Sequence, residues 1–275
     1  MAPRSREPDN PLGMIQLPDG GPFVLPKTLA TGRRQEFMQR ANSILGFYIA
    51  LTITASEGKK VIDAHEKSGA FVDATTMRLP FETRGTVAQF NYGALKLFHA
   101  RAGATLTNQV FLMLYGNFEA FLSDLVLDAL SELGDSPDPD QEAIELMTAR
   151  KWPGKFDKMT QRLKVKLGKR VFVRDFSGIE VGFLGEATND PRVYLQMMAY
   201  LRHRLVHAGS KANRQFVARY PKSGLKSGDP INLPLGLPLE LQLIFTHLSA
   251  TVDKAFAKQF GWERTMVAPE SVREA

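Results

Sequence analysis

The stretch at residues 110–130, VFLMLYGNFEAFLSDLVLDAL, decides the fold class, because it is the richest apolar run of the chain. Its large apolar residues recur every three or four positions, the period of one face of an α-helix. These residues are Phe111, Leu114, Phe118, Phe121, Leu122, Leu125 and Ala129. Since Glu119, Asp124 and Asp128 interrupt the run, the sequence predicts a buried core helix rather than a membrane span.

Similar periodic patterns predict further helices on both sides of this stretch. We expect helices at 33–68, 87–101, 105–133, 141–150, 155–167, 191–208 and 238–260. Leu79-Pro80 and Gly85 are expected to break the chain, the segment at 209–236 to be a loop, and 170–174 to be a short strand. The predicted fold class is therefore all-α, without an internal repeat.

Domain organisation follows from a change in composition near residue 30. Prolines and glycines crowd residues 1–30, which predicts a flexible N-terminal tail. Helical periodicity begins after this tail. We expect an N-terminal helical extension at 31–85 and a larger helical domain at 86–265.

Composition narrows the functional classes. The formal net charge of +6 favours an anionic partner. The chain has no cysteine, which excludes a disulfide framework, a zinc–thiolate site, an iron–sulfur cluster and a cysteine nucleophile. No Gly-rich phosphate loop or EF-hand is present, so we expect no cofactor. The N-terminus lacks the apolar run of a signal peptide, and we expect a cytoplasmic protein without membrane contact.

The segment at 202–207, RHRLVH, is the strongest candidate working site. In a helix at 191–208 one narrow stripe faces the core. Its members are Tyr194, Met198, Leu201, Leu205 and Ala208. Arg202, His203 and His207 lie off this stripe; the two histidines are one turn apart, and Arg202 precedes His207 by about 7.5 Å along the axis. All three side chains can therefore line one groove if a partner surface closes it.

These residue types suit cleavage of an RNA backbone without a metal ion. Histidine titrates near neutral pH, so it can take the proton of a 2′-hydroxyl or donate one to the leaving oxygen. Arginine keeps its charge and matches the geometry of phosphate. A simpler interpretation stays open, because Arg and His are common in the last turn of any helix, where they satisfy unpaired carbonyls.

The pattern Arg202-His203-x-x-x-His207 resembles the Arg-x4-6-His signature of the HEPN superfamily, and YGNFEAFLSDLV at 115–126 resembles the family's earlier core helix. The resemblance covers residues 86–260 and implies an all-α HEPN-like bundle, here with an N-terminal helical extension. It also implies homodimers in which two motifs share one cleft, and metal-independent endoribonuclease activity of the kind found in toxin–antitoxin and phage-defence systems. An antitoxin or another regulatory protein would then be a partner.

By this resemblance Arg202 and His207 are catalytic and His203 is a supporting polar residue. Ala208 and Gly209 follow His207, where one subgroup of the family has a tyrosine. Regulation by modification of that tyrosine is therefore not expected.

A basic cluster follows the motif and is expected to bind RNA substrate. Its basic residues are Lys211, Arg214, Arg219, Lys222 and Lys226, and Phe216 and Tyr220 are interleaved with them. We expect the basic residues to guide the RNA backbone and the two rings to stack on unpaired bases. Glu119, which lies within the apolar stretch, is expected to orient Arg202 or a histidine. We expect no metal site, because one helix face rarely supplies converging oxygen ligands.

Two other functions stay open. The same helical dimer could bind RNA, a nucleotide or a protein partner without cutting anything. Alternatively, the chain is a helical scaffold whose basic residues, including a second run at 150–174, are only solvated.

Overall fold

The apolar stretch at 110–130 lies in one long helix, α2 (Tyr92–Leu133), which packs against three other helices of the computed structural model. The structure describes residues 28–69, 75–80, 87–134, 138–139, 141, 152–167, 179–181, 184, 186–188, 191–207 and 209–267. Over these residues, helices dominate, and the strands form only short two-stranded pairs. The prediction of an all-α fold is confirmed.

Helix α2 is longer than predicted. The sequence predicts separate helices at 87–101 and 105–133, but the structure has one helix that continues through Gly103. The alanines on either side of Gly103 favour helix, and an unbroken helix leaves fewer backbone groups unpaired. The predicted start is also wrong. The helix begins after Asn91, whose side chain accepts a hydrogen bond from the Ala94 amide (2.6 Å).

The residues before α2 form an antiparallel strand pair, β2 (Thr76–Pro80) with β3 (Val87–Asn91). Leu79-Pro80, predicted to break the chain, therefore lies in a strand; Pro80 is tolerated because it is the last residue of that strand. The strand pairing crosses the predicted boundary between the extension at 31–85 and the domain at 86–265.

Helix α1 (Gly32–Ser68) runs antiparallel to α2. Near one end the Asn117 amide donates a hydrogen bond to the Phe37 carbonyl (3.0 Å), and near the other Lys96 pairs with Glu66 (2.8 Å). The α1 residues that enter the main core are Phe37, Met38, Ala41, Leu45 and Tyr48. The predicted extension therefore shares its core with the rest of the fold.

The last long helix, which we number α6 (Leu237–Phe260), packs on α2 through stacked aromatic rings. The rings of Phe118 and Phe245 are nearly parallel, with centroids 4.2 Å apart, and Tyr115 lies 5.9 Å from Phe245. Gly261, at φ 71°, ends the helix in the left-handed conformation that favours glycine. The prediction of a helix at 238–260 is confirmed.

Among the described residues between α2 and α6 are three shorter α-helices and a 3-10 turn, Pro221–Ser223. Helix α3 (Trp152–Arg162) ends five residues before the predicted end at 167. Lys164, two residues after the helix, adopts a positive φ of 56°. Helix α4 (Pro191–His207) confirms the prediction at 191–208. Helix α5 (Arg214–Arg219) corrects the prediction of a continuous loop at 209–236; its start is capped by the side chain of the preceding asparagine.

Some predictions fall on other parts of the chain. The predicted strand at 170–174 and nearly all of the predicted helix at 141–150 lie outside the described residues. Most of the predicted tail lies outside them too, but its last residues form β1 (Thr28–Ala30), which pairs with β6 (Thr265–Val267). The remaining pair joins β4 (Ile179–Val181) to β5 (Glu186–Thr188).

By length and apolar composition, α2 is the one helix of the described part of the chain that could cross a membrane. Its apolar residues pack against α1 and α6, as those of a buried core helix do.

Asp253 on α6 joins both ends of the described chain. Its fully buried carboxylate accepts hydrogen bonds from the Thr31 amide (3.3 Å), from the Thr31 hydroxyl and from the Arg264 guanidinium (3.1 Å). The guanidinium of Arg34, also buried, lies close enough for its charge to interact with this carboxylate. The carboxylate therefore accepts a hydrogen bond from the backbone at the start of α1 and compensates the positive charges of Arg34 and Arg264.

Replacing this carboxylate should destabilise the fold strongly. We expect Asp253→Ala to lower the free energy of unfolding by about 3–5 kcal/mol, because it leaves buried cationic groups without their partner. Urea denaturation followed by circular dichroism measures the change. Lys254→Ala, at the exposed neighbouring position, is the matched control and should change stability by less than about 0.5 kcal/mol. Equal stability of the two variants would contradict this role.

Candidate functional site

The candidate site lies at the C-terminal end of α4. Four members of the predicted core stripe are buried, with Tyr194, Met198 and Leu201 at 0% exposure and Leu205 at 6%; the fifth, Ala208, lies outside the described residues. Burial of this stripe fixes the rotation of the helix about its axis, so the polar side chains must point away from the core. His207 is exposed, and Arg202 and His203 are partly exposed.

The structure brings the two histidines together. The ring centroids of His203 and His207 are 4.8 Å apart, with an interplanar angle of 47°. This proximity follows from their spacing of one helical turn. Two imidazoles on adjacent turns offer both a proton acceptor and a proton donor to one bound group.

Arg202 is oriented toward α2 by Glu119. The guanidinium lies 3.7 Å from a carboxylate oxygen of Glu119, whose side chain is only 13% exposed. Burial raises the pKa of Glu119 to about 7, and the charge of Arg202 opposes that rise. The contact expected from the sequence between Glu119 and the motif is thus present, and it is made to the arginine.

Arg202 and His207 leave α4 on different sides. Five residues correspond to about 140° around the helix axis, so Arg202 can reach α2 while His207 lies on the exposed side. A groove lined by Arg202 and both histidines therefore needs a further surface to close it, as predicted from the sequence.

The chain after His207 is held by side-chain contacts to α4. Gly209 and Ser210 have φ values of 61° and 56°, which turn the chain sharply at the end of the helix. The Ser210 hydroxyl donates to the Leu205 carbonyl (3.3 Å), and Arg204 donates to the Lys211 carbonyl (2.8 Å). Lys211 is exposed directly beyond the motif as a result.

The predicted substrate-binding residues fall into two groups. Lys211, Arg214 and Arg219 are exposed, in keeping with contact to RNA phosphates. Phe216 and Tyr220 are buried, at 0% and 3% exposure. The prediction that these rings stack on bases is therefore wrong. Phe216 on α5 and Tyr220 directly after it pack against the body of the protein instead.

Tyr200, which the sequence did not lead us to single out, explains why these rings are buried. It packs against Phe216 and Tyr220, with ring centroids at 6.2 and 6.0 Å, and the Arg219 guanidinium lies 4.8 Å from its ring centroid. A helical wheel places Tyr200 within about 20° of His207, which was the available signal. Tyr200 thus fixes α5 beside the histidine face.

Comparison of the chain with protein-family models, with curated proteins and with solved structures gave no match. Over the residues that the structure describes, no group of three or more His, Cys, Asp or Glu side chains is placed to hold a metal ion.

Glu119 should make stability depend on pH near neutrality. Its pKa is about 7 in the folded protein against 4.5 for a glutamate in water, so the folded state holds the proton more tightly. This stabilisation is complete below pH 4.5 and is lost as the pH rises through about 7. Between pH 5 and 8 we expect the wild type to lose up to about 3 kcal/mol relative to Glu119→Gln.

Urea denaturation of both proteins across that pH range measures the difference. Glu263→Gln, a substitution at an exposed glutamate, serves as the control and should follow the wild type. Parallel pH profiles of wild type and Glu119→Gln would show that Glu119 has no raised pKa.

Proposed function

We propose that this protein is an endoribonuclease that cleaves RNA without a metal ion, with Arg202 and His207 as its principal catalytic residues. The observation that carries the proposal is the pair of imidazoles at 4.8 Å on the exposed end of α4, with the Arg202 guanidinium on the same helix, five residues before His207. The resemblance of the same residues to the HEPN motif supports the assignment.

The reaction we propose is attack of the substrate's own 2′-oxygen on the adjacent phosphorus. His207 accepts the proton of the 2′-hydroxyl as the oxygen–phosphorus bond forms. The bond from phosphorus to the 5′-oxygen breaks, and that oxygen takes a proton from an imidazolium. The products are a 2′,3′-cyclic phosphate and a 5′-hydroxyl. No electrons are transferred to an outside acceptor, and the only co-reactants are acid and base groups.

His203 supports His207 in this scheme. Because its ring lies beside that of His207, it can donate a proton to the same bound group. Arg202 stabilises the negative charge that develops on the phosphate oxygens. Glu119 is a positioning residue, since its carboxylate faces the guanidinium and does not face the reacting atoms.

A second copy of this chain is the surface that we propose to close the groove. Next to His207, α4 also exposes Val206, at 46%. An apolar residue beside a polar pair suits a two-fold contact, in which the same helix face meets itself. Arg202 of one copy would then approach the histidines of the other. This arrangement brings an arginine to the histidines even though Arg202 and His207 of one helix point about 140° apart.

Lys211 and Arg214 are the groups that we propose to hold the flanking phosphates. Both are exposed and follow the histidine face directly in the chain. Arg219 contributes charge from its position over Tyr200. An RNase of this kind fits a toxin or a phage-defence protein in a cytoplasm, with an antitoxin or other regulatory protein as its partner.

Cleavage of single-stranded RNA in EDTA tests the proposal. We expect His207→Ala to reduce the rate by about 10²–10⁴-fold, because it removes the general base. Arg202→Ala should reduce it by about 10²–10³-fold through loss of charge stabilisation. His203→Ala should have a smaller effect than either. Product sizes on a denaturing gel give the rates.

His65→Ala, on α1, is the matched histidine control and should cut at the wild-type rate. Cleavage that persists in His207→Ala would remove the assignment. RNA binding without any cleavage by the wild type would favour a binding protein instead.

A further inference from the structure

A small polar cleft lies immediately beyond the candidate catalytic residues. Its volume is about 190 Å³, and it is bounded by α2 on one side and by two chain segments, 209–211 and 230–232, on the other. Gly209 on its wall is two residues from His207, so their Cα atoms are separated by at most about 7.6 Å. A nucleotide whose phosphate lies at the motif can therefore reach the cleft.

The shape of the cleft is held by hydrogen bonds, because the Asn108 side chain fixes the backbone at its floor. This α2 side chain is 9% exposed, donates a hydrogen bond to the Ile231 carbonyl (2.9 Å) and accepts one from the Leu233 amide (3.2 Å). Asn232 is held between these two anchored residues and is exposed at the rim. The backbone that carries Asn232 is thus set before any ligand arrives.

The opposite wall is fixed to the same degree. The Ile231 amide donates to the Ser210 carbonyl (2.7 Å), and Lys211 pairs with Pro230 in a β-bridge. Arg204 on α4 holds the Lys211 carbonyl, which couples this wall to the helix that carries the histidines. This wall therefore holds the cleft in a fixed position relative to the histidines of α4.

The chemistry of the lining suits a nucleobase. Pro230 gives the cleft an exposed apolar contact surface, and Gln109 and Asn232 are exposed amide-bearing residues of its lining. A carboxamide pairs with the adjacent donor and acceptor of a purine edge, and a lysine such as Lys211 pairs with the two acceptors of guanine. Bases of single-stranded RNA are read on these same edges.

We propose that this cleft binds a purine base of the RNA, next to the phosphate held at the motif, and makes the enzyme select purines at one position. The inference rests on the proposed function for the position of that phosphate. Gln109 and Asn232 are the specificity-determining residues, and they act on the choice of base rather than on the bond-breaking step.

Binding of single nucleotides tests the cleft without any need for cleavage. The probes are adenosine and guanosine 3′-monophosphates, uridine 3′-monophosphate and ribose 5-phosphate, which lacks a base. NMR signals of the Gly209, Ser210 and Lys211 backbone amides, which line the cleft and are kept in every variant, report occupancy as each probe is titrated into the full chain. We expect at least one purine nucleotide to bind about tenfold more tightly than the uridine nucleotide and ribose 5-phosphate.

The double variant Gln109→Ala/Asn232→Ala should remove this tenfold preference, and Gln259→Ala, at an exposed position on α6, should keep it. Equal binding of purine and pyrimidine nucleotides by the wild type would overturn the proposal. So would a purine preference that survives in the double variant.

The nuclease assay separates this result from the proposed function. Base-selective binding without cleavage overturns the ribonuclease assignment and leaves the cleft. Cleavage with no preference among the nucleotides overturns the cleft and leaves the ribonuclease assignment.

Discussion

The packing of Phe118 on Phe245 is the interaction on which the rest of the structure depends. Stacked at 4.2 Å, these rings set the rotation of α2 against α6. Glu119 is the next residue along α2, about 100° around the helix, and this rotation carries it to the side where α4 packs. Its carboxylate then meets Arg202. The orientation of the candidate catalytic arginine thus follows from an aromatic contact in the core.

Helix α4 has its own constraint from the same core. With one stripe buried to 0–6% exposure, the helix has no freedom to rotate about its axis, so the histidine pair and the arginine have fixed directions. The turn at Gly209 and Ser210 then sends the basic segment back beside the histidines. Rigid supports on both sides are what an acid–base site requires, since small displacements of catalytic groups reduce rates steeply.

The sequence predicts the parts of this structure that depend on local periodicity. The helices at 191–208 and 238–260 and the buried face of α2 follow from apolar residues at helical spacing. Glu119 was recognisable because a carboxylate in an apolar run needs a partner. The two halves of α2 were separated wrongly because Gly103 has low helix propensity, which tertiary packing overrides.

Other features depend on contacts between distant segments, which periodicity does not contain. Phe216 and Tyr220 lie in a basic cluster that is typical of an RNA-binding surface, and only the position of Tyr200 shows that they are buried. The cleft beside Asn108 joins residues more than 100 positions apart in the chain. A single sequence carries no sign of such a pairing.

The most direct test of the account is whether the substrate's own 2′-hydroxyl is the nucleophile. A single-stranded RNA and the same strand with 2′-O-methyl groups at every position are incubated with the protein in EDTA, and the product ends are identified by mass spectrometry. The account predicts cleavage of the unmodified strand alone, leaving 2′,3′-cyclic phosphate and 5′-hydroxyl ends. Cleavage of both strands, 5′-phosphate products, or no cleavage of either strand would contradict it.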